Sequence, residues 1–363
     1  MMPQNAINQS RRRFCSDILR LWGGLALTGP LLNGCTNQQD SFPKQLNILN
    51  WADCLHPDAI PEFERRTGIK VVYDTFASNE ALLAKISAGG TRYDIVVPSS
   101  YMVKQLIKLD LLYPLDADRL PGRKSLMDRF LHSTFDPGLA HCVPYTWGTT
   151  GMAYDKNARF ASRPKSWQMF FDGSARHRMT LLDDAREAIG MAAKSLGFSY
   201  NTRDLGQLRQ SVDRLIAHKA DAMCFSSDQV ITALASGDAH LSQVFSGDAY
   251  QAMRENKNIG YAIPIEGASI WTDNFCILAT APHKDAAYAW IQYMLEPAVA
   301  AACANYTRYA IANALALPLI ESSLRDDPNL YPPDAVMARL EELAEIGSFV
   351  SVYDRLWTEL KCA

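Results

Sequence analysis

No run of this sequence has the length and apolar content of a membrane-spanning helix. The apolar run from Leu21 to Leu32 is interrupted by Gly23, Gly24, Gly29 and Pro30, and it falls short of the roughly 20 apolar residues that cross a bilayer. Low-complexity tracts are missing, and so is a strong charge of one sign: 36 Lys and Arg stand against 39 Asp and Glu, a net charge of −3. That balance offers no basic field for nucleic acid. The eight cysteines show no C-x-x-C or Cys/His spacing, which withdraws support from a zinc or redox motif. G-x-S-x-G, H-E-x-x-H and P-loop spacings are also absent, and with them the usual signatures of a hydrolase elbow, a zincin helix or a phosphate cradle.

What is present is a globular chain of 363 residues, 48% hydrophobic and 21% charged, long enough for two lobes with separate cores. Its first 34 residues differ from the rest. Ser10-Arg-Arg-Arg-Phe14 forms a basic head to the Leu21–Leu32 run, the layout of an export signal. It partly resembles the twin-arginine signature, and Sec export stays open. Leu32-Asn-Gly-Cys35 resembles a bacterial lipobox, which implies lipid on Cys35, a mature chain starting there and a tether over residues 35–45. Loss of residues 1–34 removes four Arg and one Asp, leaving 32 basic and 38 acidic residues, or −6. Six cysteines then remain besides Cys15 and Cys35. In an exported chain they can pair, but their connectivity stays open; Cys224 and Cys276 sit in apolar surroundings as small core residues.

Residues 46–109 alternate between strand and helix patterns. A buried strand runs through Asn47-Ile-Leu-Asn50 to Trp51 and Asp53. Pro57–Thr67 reads as a helix stopped by Gly68, Ile69–Tyr73 as a strand, Asn79–Ile86 as a helix and Tyr93–Val97 as a third strand. Short links between such elements predict a parallel sheet flanked by helices. Ligands bind beyond the carboxyl ends of strands in such sheets. Trp51 with Asp53, and Ser99 with Tyr101, lie at that edge. An indole face beside a carboxylate suits an organic ammonium ion.

Pro144–Met152, extended and rich in aromatics and glycine, reads as a crossing into a second lobe. There Lys165–Phe171 is expected to be helical, Met179–Leu182 a strand, and Asp183-Asp-Ala-Arg-Glu187 the start of a helix reaching Gly197. Asp183 is explained by capping. Asp184 and Glu187 share a helix face, and they read equally as cap and as site. Helix Leu205–Ala217, strand Ala222–Phe225 with Ser226-Ser227-Asp228, helix Gln229–Ser236 and strand Leu241–Phe245 follow. Trp271-Thr-Asp273 then repeats the Trp and Asp device at a return crossing. Strand Phe275–Leu278 and helix Asp285–Leu295 belong again to the first lobe, and Tyr306–Ala363 is expected to be mainly helical.

Together these segments resemble the spermidine/putrescine-binding proteins of bacterial ABC importers. The resemblance is carried by Asn50-Trp-Ala-Asp53, Glu62-Phe63 with Thr67-Gly-Ile-Lys-Val71, Tyr93-Asp-Ile-Val-Val-Pro-Ser99, Pro144-Tyr-Thr-Trp-Gly148, Leu182-Asp-Asp-Ala-Arg-Glu187 and Trp271-Thr-Asp273. It implies an α/β, two-lobed periplasmic-binding-protein fold of type II-like topology with a polyamine between the lobes. Lobe 1 would comprise 46–148 plus 272–317, and lobe 2 149–271 plus 318–363. The resemblance points to Trp51, Asp53, Ser99, Tyr101, Asp184, Glu187, Ser227, Trp271, Asp273 and Tyr309 as ligand contacts, with Phe245 in the place of a family Trp. Ala52 and Cys54 depart from the family pattern, Asp53 is shorter than the usual Glu, and a family Gln has no clear equivalent near Leu343, which implies lost hydrogen bonds and a wider pocket. The expected partners are a polyamine and ABC permease subunits, with the membrane reached only through the lipid; no cofactor or metal is expected. Two other readings are weighed: the same fold binding another solute, such as ferric iron through Tyr306 and Tyr309 or a different cationic amine, and a periplasmic hydrolase using Asp184 and Glu187. Glycosidase carboxylates face each other across a cleft from separate elements, a geometry that i, i+3 neighbours do not naturally supply.

Overall fold

The computed structural model describes residues 45–52, 54–88 and 92–363. The expected export signal, Cys35, most of the tether and Asp53 lie outside the described residues. Eleven strands are found among those described: β1 (Gln45–Trp51), β2 (Lys70–Phe76), β3 (Ile95–Val96), β4 (Cys142–Asp155), β5 (Met179–Leu181), β6 (Ala222–Phe225), β7 (Leu241–Phe245), β8 (Ile259–Ala262), β9 (Ser269–Ile277), β10 (Ala310–Ile311) and β11 (Glu341–Glu342). The main path of the sheet runs β2-β1-β3-β9-β4-β7-β5-β6, with β8 and β10 attached to β4 and β11 to β9.

The parallel unit expected at the start is present: β1 pairs in parallel with both β2 and β3. The helices Ala59–Thr67 and Asn79–Ser87 form its crossovers. Gly68 ends the first at φ 70°, its N–H donating to Glu64 O at 2.8 Å, a left-handed C-cap that glycine adopts without steric cost. Ser78 starts the second by accepting from Ala81 N at 3.1 Å.

β4 and β9 hold the two halves together. β9 is antiparallel to β3 and to β4, whereas β4 beyond Thr150 pairs with β7 and β8. The Pro144–Met152 crossing is therefore one continuous strand that changes partners along its length. Trp167, Ile189 and Val212 form a core with Tyr353, Leu356 and Leu360 of the terminal helix Val350–Cys362. A larger core gathers Ile48, Ile95 and Phe63 with Trp290 and Ile291, and continues past the crossing through Val244, Tyr250 and Ile259. Each fully buried aliphatic or aromatic side chain of this kind contributes about 1.5–3 kcal/mol.

Several local expectations needed correction. Lys165–Phe171 yields only the 3-10 turn Trp167–Phe170, since Trp167, Met169 and Phe170 all turn inward and no polar face remains for an α-helix. Tyr306–Ala363 is largely irregular before Val350, because Pro318, Pro328, Pro332 and Pro333 leave only short turns. Helix Ser246–Glu255 was not anticipated behind a Ser-Gly-Asp start that reads as a turn. Cys276 is buried as expected, whereas Cys224 on β6 is half-buried, β6 being the last strand on the sheet path.

Candidate functional site

A cavity of about 250 Å³ opens where β1, β7 and β9 bring their ends together. Trp51 closes β1 and leans on Phe76 at the end of β2, with ring centroids 4.4 Å apart. Ser99, before the helix Ser100–Lys108, forms a single bridge to Asp273 of β9. Its hydroxyl donates to Asp273 Oδ1 at 2.7 Å. Asn79 holds the serine on both sides, with Nδ2 donating to Ser99 Oγ at 3.2 Å and Oδ1 accepting from Ser99 N at 3.0 Å. Asp273 is 5% exposed; burial pushes its pKa up to about 7, while Ser99 and the nearby Trp51 indole favour the ionised form.

The opposite wall starts from helix Ala185–Ser195. Asp184 is its N-cap, accepting from Glu187 N at 3.0 Å, a capping contact worth about 0.5–2 kcal/mol. Asp183, expected to cap, instead pairs with Lys361 at 2.7 Å, so the cap falls one residue later. Asp184 caps the helix and also lines the cavity beside Glu187. Glu187 is 2% exposed, and the Ser269 hydroxyl lies 2.8 Å from each of its carboxylate oxygens. Burial, then the charge of Asp184, raises the Glu187 pKa to about 8 against the opposing pull of Ser269. The pKa of Asp184 also rises through burial, opposed by backbone N–H groups of its own helix and by the Arg186 charge.

Aromatic side chains fill the space between these walls. Trp271 meets Phe245 edge to face at 5.8 Å and Tyr309 at 5.6 Å, and its buried indole N–H finds no acceptor among the described residues. Two glycines make room for these rings. A Cβ on Gly148 would lie 2.7 Å from the Trp271 ring, and one on Gly247 would lie 2.4 Å from that of Tyr309. Tyr309 donates its hydroxyl to Asp248 Oδ1 at 2.5 Å.

Trp51, Ser99, Tyr101, Asp184, Glu187, Ser227, Phe245, Trp271, Asp273 and Tyr309, read from the sequence as contacts, all line this one cavity, as do Ala52, Cys54 and Leu343. Asp53 lies outside the described residues. Sequence reasoning missed Asn79, Asp228 and Asp248. Asp228 was legible in Ser226-Ser227-Asp228 just past β6; Asp248 was hidden because the helix that presents it went unread. Tyr101 leads to a further carboxylate, its hydroxyl donating to Glu80 Oε1 at 3.1 Å. Desolvation, followed by the charge of Asp184, raises the Glu80 pKa.

The charge pattern is one-sided. Asp184, Glu187, Asp228, Asp248 and Asp273 line the cavity, and no Lys, Arg or His does so among the described residues. Arg186 lies behind the wall, 5% exposed, with its guanidinium donating to Ala344 O at 3.2 Å and to Asn201 Oδ1 at 3.1 Å. Chemically the lining offers carboxylates that can meet charged nitrogen and π faces that can pack an apolar stem.

Residues 58–331 match the family described as bacterial extracellular solute-binding protein. A putrescine/agmatine-binding protein of Pseudomonas aeruginosa is 34% identical over 358 residues, covering 93% of this chain and 98% of that protein. A putrescine-binding periplasmic protein of Escherichia coli is 34% identical over 360 residues, 94% of this chain and 97% of the relative. Among solved structures, the spermidine/putrescine ABC transporter substrate-binding protein of Streptococcus pneumoniae superposes with a TM-score of 0.76 at 34% identity, covering 88% of this chain and 99% of that one. These neighbours share the two-lobed α/β fold with this chain. The chain belongs to the bacterial extracellular solute-binding protein family.

Proposed function

We propose that this protein captures a polyamine for an ABC importer, using the acidic, aromatic-lined cavity as its receptor. The observation that carries this reading is the set of five carboxylates and the edge-to-face indole, phenol and phenyl rings on one cavity with no basic side chain among its described lining. A buried ammonium without a partner costs several kcal/mol, so a ligand with two or three ammonium groups selects carboxylates spread along its length. Asp273 serves one wall, Asp184 and Glu187 another, and Asp228 and Asp248 stand near Ser227 and Tyr309. Trp51, Trp271 and Tyr309 pack the methylene stem. Asp53 belongs to the same proposal.

Closure would bring lobe 1 (46–148 plus 272–317) and lobe 2 (149–271 plus 318–363) together about the β4 and β9 crossings. Cleavage of an export signal over residues 1–34 and lipid on Cys35 would then hold the protein at the membrane beside its permease. Relatives named for binding solutes support a binder rather than an enzyme. The hydrolase alternative is disfavoured because Asp184 and Glu187 stand on the first turn of one helix, whereas glycosidase carboxylates face each other from separate elements. Ferric iron held by Tyr306 and Tyr309 is disfavoured because Tyr306 stacks on His56 at 5.1 Å, whereas Tyr309 lines the cavity.

Calorimetric titration with putrescine, spermidine and neutral amino acids tests the proposal. Saturable binding of a polyamine, returned chemically unchanged, is the expected result. Binding confined to neutral amino acids would refute it.

A further inference from the structure

Cys142 and Cys276 are directly opposed partners in the antiparallel β4/β9 ladder. Opposed residues project from the same face of a sheet with Cβ atoms about 4.5–5.5 Å apart, and a disulfide requires a Cβ separation of about 3.5–4.5 Å and Cα atoms within about 7 Å. Only a small approach of the strands separates the two geometries. Both side chains are 0% exposed, and both are thiols in this structure. The chain belongs to an extracellular family, so it works where disulfides persist. We infer that Cys142 and Cys276 form a cross-strand disulfide in the exported protein, a covalent staple between the two strands that link its halves.

The bond forms by thiol–disulfide exchange with a disulfide-bearing oxidant of the exported compartment. One cysteine, as thiolate, attacks the oxidant's S–S bond and releases one of its sulfurs as a thiol. The second thiolate then displaces the other sulfur, closing Sγ–Sγ. Two protons and two electrons leave the pair, and the oxidant departs as two thiols. Complete burial requires this exchange to precede final packing. Once the fold has closed, burial, followed by the neighbouring Cys276 and the Asp136 carboxylate, keeps the Cys142 thiol above its ordinary pKa. An unoxidised pair is therefore slow to react, and a closed bond is shielded from reductant.

The staple lies at one end of the shared ladder, whereas Gly148 and Trp271 are opposed further along it, beyond a shift of register between Pro144 and Thr146. It therefore anchors the end of the ladder on the far side of that shift from Gly148 and Trp271.

Peptide mapping of the full chain recovered from an oxidising periplasm tests the inference, with free thiols alkylated in denaturant before any reductant is added. The expected result is one linked species joining the Cys142 peptide to the Cys276 peptide, two hydrogens lighter than the reduced pair, which separates on reduction. Alkylation of both cysteines without reductant, or linkage of either to another cysteine, overturns it. As a second readout, wild type reduced in denaturant and refolded with reductant present should melt several degrees below oxidised wild type, whereas the C142S/C276S double variant should melt alike after either treatment; equal melting of oxidised wild type and wild type shown by mapping to be fully reduced also overturns the inference.

Discussion

Polyamine affinity should fall steeply on acidification, because Asp273 and Glu187 must be ionised to meet ammonium groups and burial opposes that ionisation. With pKa values of about 7 for Asp273 and about 8 for Glu187, lowering the pH from 8 to 6 reduces the ionised fraction about tenfold for the first and about fiftyfold for the second. If both carboxylates meet cations, the dissociation constant rises about 500-fold, equivalent to about 3.7 kcal/mol. Binding at pH 7 should likewise release about 1.4 protons, about 0.5 from Asp273 and about 0.9 from Glu187. Calorimetry at a series of pH values, repeated in two buffers of different ionisation enthalpy, measures both quantities. Putrescine, with two primary ammonium groups that titrate well above this range as lysine's does, keeps its charge, so its slope reports on the protein. An affinity that stays flat between pH 6 and 8, with no proton release, would show that both carboxylates are already ionised in the ligand-free protein and would refute the reasoning.

Three further outcomes follow from the same geometry. Glu187 has its pKa raised from 4.5 to about 8, so its contribution to stability is fully present below pH 4.5 and lost as the pH rises through about 8, a change of about 5 kcal/mol. Glu187→Gln should flatten this slope, so that ligand-free wild type loses more melting temperature between pH 5 and 8.5 than the variant; parallel curves would contradict the assignment. Gly148→Ala places a Cβ 2.5 Å from Ser246 Oγ and 2.7 Å from the Trp271 ring. That crowding should cost about 1–3 kcal/mol of stability and at least tenfold in polyamine affinity, measured by thermal melting and titration; unchanged affinity would remove Trp271 from the binding wall. Ser99→Ala deletes the 2.7 Å hydrogen bond to Asp273. The Asp273 pKa should rise further and carry the lower limb of the affinity–pH curve to higher pH; a curve that stays in place would show that the hydroxyl does not hold the carboxylate.

The strand and helix order of the first segments and several residues that line the cavity were legible in the amino-acid order, because alternating strand and helix patterns followed by polar and aromatic residues mark the edge of an open sheet; Ser227, Phe245 and Tyr309 came only from the family resemblance. Trp51, Ser99 and Tyr101 needed only their positions after β1 and β3, and Trp271 with Asp273 needed only the repeated spacing. Local order could not reveal Asp248, since Ser-Gly-Asp is ambiguous between turn and helix until Tyr309 packs over Gly247. Nor could it reveal that Asp184 rather than Asp183 caps its helix, a choice made by the geometry of the first turn, or that Cys142 stands opposite Cys276, which depends on the register of two strands over 130 residues apart in the chain. Short-range pattern determines which residues reach a sheet edge. Which carboxylates then share one cavity, and what burial does to their pKa values, is decided only when distant strands come into register and water is excluded between them.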